Sequence, residues 1–460
     1  MKQDDIITLK IEALTADASG IGHSDGYAVF VPYVIAGETV RVKITYAKKN
    51  VAYGKLLEVT EPSPQRVAPE CPVYGKCGGC RLSHMTYEAQ LGFKRDQFVS
   101  IMKKNGGVDI APDLVFGSPE PFRYRNKLVL PVSQFKGRPE FGFYAENSRN
   151  IVPIGECPLH GNWAKLVISA VSEYMTEAGE RGYDHAKTHK GDIRHISARF
   201  IDDSLLLTLV TNNPSGLKNP KLLYSILEKK FKDSPVKIGL SESINTSDSG
   251  VILGKTVRHL LGISRIESSA AGIRFSLAPS SFFQVNGSVF GSLYEDVLAH
   301  VAKTDVLIDA YSGIGILTAM LSSPDRDTYG VELNPEATRD ADEILKLNNC
   351  PRQTNINGDA TKILPELFEK NRRKSVTLVV DPVRKGLSEE TCGLISRLKP
   401  EKFVYVSCNA ATQARDLGRI LTNYPDFRIE YSAVYDQFPQ TASSESLVVL
   451  SRKQFRPSDL

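Results

Sequence analysis

The stretch VLIDAYSGIGILTAML, Val306–Leu321, decides how this chain is read. An apolar run, Val306–Ile308, meets an acidic residue, Asp309, then Gly313 and Gly315, then a helix-like run, Ile316–Leu321. Glycine after a strand lets the backbone turn tightly and approach a ligand. Further apolar runs, Tyr329–Val331, Thr377–Val380, Phe403–Val406 and Leu447–Leu450, alternate with helical stretches. From about residue 290, that alternation predicts a mostly parallel sheet with helices on both faces.

Ligands of such sheets bind beyond the carboxyl ends of the strands. Tyr311, Gly313 and Gly315 stand on the first loop. Glu332 closes the next strand, placed to accept hydrogen bonds from ribose hydroxyls. Asp359 and Asp381 follow later segments of the same alternation. A dinucleotide fingerprint requires G-x-G-x-x-G, and here Thr318 takes the place of the third glycine. An acidic residue also opens the loop, which is unfavourable for a pyrophosphate and harmless for a sulfonium. S-adenosylmethionine is therefore favoured over a dinucleotide.

The sequence VYVSCN, 404–409, sets Cys408 just past an apolar strand, on the ligand edge. A lone cysteine there is more often inert core. Its polar neighbours, and Asp381-Pro-Val-Arg-Lys-Gly386 one strand earlier, make it a candidate nucleophile instead. Glu445, just before the last strand, is a candidate general base.

Upstream, Cys71-x5-Cys77-x2-Cys80, interleaved with Gly75, Gly78 and Gly79, reads as a metal-ligand loop. Cys157 supplies a fourth ligand. Four thiolates suit zinc or an iron–sulfur cluster. Zinc sites usually present two close pairs, so three clustered cysteines and one distant favour the cluster. Cys350 and Cys392 are left as structural residues.

The remainder of the chain fits this picture. At 460 residues with 41% hydrophobic and 24% charged, it holds several soluble domains. The net charge of +4 permits nucleic-acid binding without demanding it. No apolar run is long enough for a membrane span, and Asp4 and Asp5 break any N-terminal leader, so a cytoplasmic location is expected. Residues 1–60 alternate with period two around Gly20, Gly22, Gly26 and Gly37, which predicts some five short strands and a small barrel of the oligonucleotide-binding sort. Met85–Asn105 reads as a helix, and the region from about 120 to 265 as strand-rich, with a hairpin around Asp202–Ser204.

Together these segments resemble the RNA 5-methyluridine methyltransferase family, especially its ribosomal-RNA branch with a TRAM domain and a 4Fe–4S cluster. The resemblance implies a TRAM barrel over 1–62 and an α+β central domain with the iron–sulfur loop over 63–268. A Rossmann-like α/β methyltransferase domain over 269–460 completes it, with the segment at about 85–120 available to pack on that domain. It implies Cys71, Cys77, Cys80 and Cys157 as cluster ligands, and Tyr311, Gly313, Gly315, Glu332, Asp359 and Asp381 around S-adenosylmethionine. Phe282-Phe-Gln-Val-Asn286 matches the family's F-x-Q-x-N segment and implies Gln284 as a cofactor contact. Tyr124-Arg-Asn-Lys127 looks like its Y-R-N-K segment, with Arg125 and Lys127 as RNA phosphate contacts. Ser407-Cys408-Asn409 resembles the nucleophile motif, and Asp436-x-Phe-Pro-x-Thr441 with Glu445 the base motif. Three positions depart from the family: Ala410 for proline, Ile316 for asparagine and Ser443 for histidine. The implied activity is methylation of a uridine at C5 by a monomer, in ribosomal RNA ahead of transfer RNA. A non-catalytic RNA-binding protein is the alternative of a different class.

Overall fold

Alternation near the N-terminus becomes one six-stranded sheet, a strand more than expected. Its order is Ile6–Lys10, Thr39–Lys48, Val51–Glu61, Tyr27–Val31, Gly20–Ser24 and Ala13–Leu14. The sheet curls on itself, because Glu12 N–H donates to Ile21 O at 2.8 Å. Gly22 permits that closure, since a Cβ there would lie 2.2 Å from Lys10 O. Leu9, Val29, Val31, Val40, Val42 and Ile44 fill the interior. Buried Glu38 receives Arg66 at 2.5 and 2.6 Å, tying the barrel to the chain that leaves it. This computed structural model describes residues 1–247, 250–301 and 303–452. Positions 453–460 of the expected catalytic domain lie outside the described residues.

The strand-rich middle forms a seven-stranded sheet. Its order is Ile151–Pro153, Arg138–Tyr144, Lys127–Phe135, Ile193–Ile201, Ser204–Thr211, Lys237–Ile244 and Val257–Gly262. Helices Asn162–Ala178 and Pro220–Lys230 pack on it through Val167, Val171, Leu223 and Leu227. The predicted hairpin turns on Asp202 and Asp203, both left-handed at φ 45 and 52, the conformation that matches strand twist in a two-residue loop.

The C-terminal sheet has eight strands, ordered Gln353–Asn357, Asp327–Glu332, Val306–Ala310, Val376–Val380, Lys402–Ser407, Glu445–Arg452, Phe427–Tyr435 and Leu114–Phe116. The first five run parallel, and Glu445–Arg452 is antiparallel to both neighbours. Strand order reverses between Val306–Ala310 and Val376–Val380, which opens a crevice at their carboxyl ends. Asp309 and Asp381 flank it.

Part of the segment 85–120 lies against this sheet and its helices. Helix Tyr87–Gly106 crosses helix Ala410–Asn423 so closely that a Cβ on Gly106 would lie 2.2 Å from Ala414 O. Leu114–Phe116 then pairs with Phe427–Tyr435 as the sheet edge. Among the described residues, no helix is long and apolar enough to cross a membrane.

Candidate active site

Each expected nucleophile, base and crevice acid stands at the carboxyl edge of the C-terminal sheet. Cys408 follows the strand Lys402–Ser407 directly, half-buried. Its loop is pinned from both sides. Asn409 Nδ2 donates to Arg384 O at 3.0 Å, and Asn409 Oδ1 caps the next helix by accepting Ala411 N–H at 3.1 Å. Buried Asp416 accepts Leu387 N–H at 2.7 Å and Tyr405 O–H at 2.8 Å, fastening the 381–387 loop beside Cys408. Ala410 is the first residue of that helix. There proline's merit is its preset φ, and alanine, a strong helix former, keeps the geometry.

Glu445 opens the strand Glu445–Arg452 and is 4% exposed, and its Oε2 has no hydrogen-bond partner. Burial, then the charge of Asp381, push its carboxyl well above the usual range. Burial raises Asp381 to about 7. The Cys408 thiol is raised to about 11, by burial first and then by Glu445 and Asp381, while Arg384 pulls the other way. Thiol and carboxyls thus sit within electrostatic reach of one another. Beside Cys408 lies a cavity of about 240 Å³, lined by Ala16 of the barrel, Lys94, Gln97, Arg384 and Ser443.

The cofactor loop is built as the glycines require. Tyr311, Gly313 and Gly315 all have positive φ, at 68, 56 and 80. Gly315 admits no side chain, because a Cβ would lie 2.8 Å from Ala341 Cβ. Glu332 braces this loop, accepting Gly313 N–H at 3.0 Å and Asn334 N–H at 2.7 Å. A carboxylate has about four lone-pair sites, so acceptor capacity remains for a ligand. Asp309 is buried, accepts Thr318 O–H at 2.6 Å, and is raised by burial to about 7. Asp359 is an exposed helix cap, accepting Thr361 N–H at 2.9 Å. Tyr311 packs its ring against the apolar core. Ile316 is 4% exposed within the core, so that departure faces inward. Gln284 accepts from Gln437 Nε2 at 3.2 Å, next to an exposed Phe282.

The four cysteines come together, but not round one point. Among the described residues, no group of three or more His, Cys, Asp or Glu is arranged to hold a metal ion. A single zinc would need its sulfurs about 2.3 Å from a common centre. Here Cys71, Cys77, Cys80 and Cys157 line the wall of a cavity of about 90 Å³. Burial raises the thiols, Cys80 to about 12 and Cys157 to about 11.

Arg125 stands among the cysteines. Its guanidinium lines the cysteine cavity and lies over the Tyr124 ring, 5.8 Å from the centroid. It lowers the pKa of Cys77, Cys80 and Cys157. This places the arginine beside the thiols. Lys127 stands apart, facing Arg199 across the central sheet.

Comparison with known proteins follows the same lines. Residues 367–453 match the tRNA (uracil-5-)-methyltransferase family, and residues 4–57 match the TRAM domain. An uncharacterized RNA methyltransferase of Halalkalibacterium halodurans is 36% identical, over 98% of this chain and 98% of its own. The chain belongs to the uracil-5 RNA methyltransferases. A second relative, an uncharacterized RNA methyltransferase of Listeria innocua, is 36% identical over 98% of this chain and 99% of its own. The solved Pyrococcus abyssi tRNA (uracil-54, C5)-methyltransferase, in complex with S-adenosyl-L-homocysteine, superposes with a TM-score of 0.76 at 26% identity. It covers 96% of this chain and 99% of its own. The methyltransferase is thus an S-adenosylmethionine-dependent enzyme.

Several residues that build the methyltransferase site escape sequence reading. Lys94 and Asp436 form an ion pair with both side chains fully buried. Asp436 also accepts Tyr87 O–H at 3.0 Å, and Lys94 donates to Phe438 O at 3.1 Å. Asp436 of the base motif therefore anchors a helix and does not face the crevice. Gln90, Arg81, Leu82 and Tyr124 hold the same loop through Gln440 and Pro439. Tyr294 is buried beside Asp381, Asp309 and Glu445, which with burial push its phenol up. Only a contact map could have found these. Lys94→Met leaves Asp436 charged and buried, so unfolding in urea is expected to reveal a loss of about 3–5 kcal/mol. Wild-type stability in that variant would show the pair to be dispensable.

Proposed function

We propose that this methyltransferase methylates C5 of a uridine in ribosomal RNA through a covalent Cys408–C6 adduct. The juxtaposition of Cys408, Glu445 and Asp381 beside the switch-point crevice carries this reading. S-adenosylmethionine supplies the methyl group and, when bound, a positive sulfonium. C5 of uracil is a weak nucleophile. Addition of the Cys408 thiolate to C6 pushes electron density onto C5, which then takes the methyl. Glu445 removes the C5 proton, the C5–C6 double bond re-forms, and the thiolate leaves. The target base must leave its stack to reach Cys408, and the adjacent cavity offers it room.

Gln284, Tyr311, Gly313, Gly315, Glu332, Asp359 and Asp381 are proposed to surround the cofactor, with Glu332 on the ribose. The barrel supports RNA binding: exposed Tyr46 and Tyr53 lie among exposed Lys48, Lys49 and Lys55, a stacking and charge platform. The four-cysteine cavity, too open for one ion and already holding Arg125, suits a 4Fe–4S cluster that organises the middle of the chain. The protein is proposed to act as a cytoplasmic monomer, where thiols stay reduced. A transfer-RNA target is the second reading, favoured by the solved tRNA (uracil-54, C5)-methyltransferase.

The deciding experiment maps 5-methyluridine in ribosomal and transfer RNA from cells with and without the gene. Loss of one ribosomal site is expected. Loss confined to transfer RNA would move the assignment there, and an unchanged map would overturn the activity. Anaerobically purified protein is expected to carry about four irons per chain. Iron-free protein with one zinc would refute the cluster.

A further inference from the structure

Two cations face each other in the central sheet with no counter-ion among the described residues. Arg199 pairs directly with Lys127 in the antiparallel register of strands Ile193–Ile201 and Lys127–Phe135. Opposed residues of such a pair point to the same face. Arg199 is 3% exposed. Its Nη2 donates to Ser281 O at 2.7 Å, and its Nε and Nη1 are buried with no partner. Among the described residues, no acid offsets its burial, which alone lowers it to about 10. Half-buried Lys127 is lowered to about 8, by burial and then by the Arg199 charge. A buried, unpaired guanidinium beside a second cation is strongly unfavourable in the unliganded protein.

Position says what relieves it. Ser281, the acceptor of Arg199, begins the segment carrying exposed Phe282 and then Gln284. Asn126, next to Lys127, donates through its side chain to Gln284 O at 2.9 Å. The cation pair therefore adjoins the place where the base motif's Gln437 also reaches Gln284. We propose that Lys127 and Arg199 form a subsite for one backbone phosphate of the RNA, an inference that rests on the RNA methyltransferase reading above. The unpaired Nε and Nη1 of Arg199 flank Nη2, which keeps a second hydrogen, so either edge of the guanidinium can donate to phosphodiester oxygens, and the lysine adds a point charge. Holding a phosphate beside this segment would fix the RNA backbone where the target base is turned out. Arg125, two positions before Lys127, lines the cysteine cavity, so the subsite uses Lys127 and Arg199 alone.

The test uses the full chain and an RNA oligonucleotide bearing the mapped uridine. Fluorescence anisotropy is read across KCl concentrations for wild type, Lys127→Gln and Arg199→Lys. Thermal melting confirms that each variant is folded. Lys127→Gln is expected to weaken binding about tenfold and to lower the slope of log Kd against log salt by roughly one. Arg199→Lys, which keeps the charge, is expected to retain the wild-type slope. A neutral methylphosphonate at one position should weaken wild type about tenfold and leave Lys127→Gln unchanged, because the contact is already lost. Wild-type affinity and slope in a folded Lys127→Gln protein would overturn the subsite. So would loss of S-adenosylhomocysteine binding in place of RNA binding. Methylation by wild type of the same oligonucleotide keeps the two readings apart. Methylation with an unmoved slope sinks the subsite alone, and absence of both binding and methylation sinks the activity on which it rests.

Discussion

Cys408→Ala is expected to lower methyl transfer to RNA by roughly 10⁴-fold or more, leaving RNA affinity and the unfolding midpoint close to wild type. The chemistry demands the first half, since without addition at C6 nothing activates C5, and loss of a nucleophile removes a stabilisation made only in the transition state. Structure demands the second half. Cys408 is half-buried on the rim of a cavity, and its loop is held by Asn409, Thr412 and Asp416, while the thiol itself meets the Arg384 side chain. Removing one sulfur there leaves those hydrogen bonds intact. The readout is transfer of labelled methyl to RNA, with anisotropy for binding. Transfer surviving at even a tenth of the wild-type rate would rule out covalent catalysis by this cysteine.

Glu445→Gln should stop the reaction after methyl transfer and before release. A neutral amide cannot take the C5 proton, so the Cys408–RNA adduct should accumulate as a slow band on a denaturing gel, with turnover reduced about 10²–10⁴-fold. The same variant should form its adduct at lower pH. In the wild type, burial and the charges of Glu445 and Asp381 hold the thiol at about 11. Removing one of those charges favours the thiolate, so the adduct-forming limb shifts to lower pH relative to a trapped wild-type reaction. Lack of adduct at every pH would assign proton removal elsewhere. Rapid release with normal turnover would show that Glu445 is not the base.

Much of this enzyme is legible in the sequence, for physical reasons. Val306–Ile308 and its four companions announce themselves because strands buried on both faces must be apolar throughout. Gln353–Asn357 does not: its residues are QTNIN, at an open edge where polar side chains are tolerated. Leu114–Phe116 is hidden for a different reason. Three residues carry no pattern, and their pairing partner lies beyond residue 426. The glycine loop, Cys408 and Glu445 are visible because the proposed chemistry restricts residue type at those points. Lys94 is invisible because a lysine in a helix reads as surface, and only Asp436, far along the chain, makes it core. The place of Arg125 in the wall of the cysteine cavity is equally unreadable from its own segment, because the cysteines that meet it lie elsewhere in the chain.

The fastening of residues 436–440 also sets when the enzyme becomes competent during synthesis. Lys94 meets Asp436 across 342 positions of chain, and Gln90 meets Gln440 across 350. Chains emerge N-terminal end first, and contacts of long sequence separation close last. The helix Tyr87–Gly106 therefore leaves the ribosome with a lysine whose partner is made 342 positions later. A chain that stops short of this stretch has neither the buried Lys94–Asp436 pair nor Glu445, the proposed base.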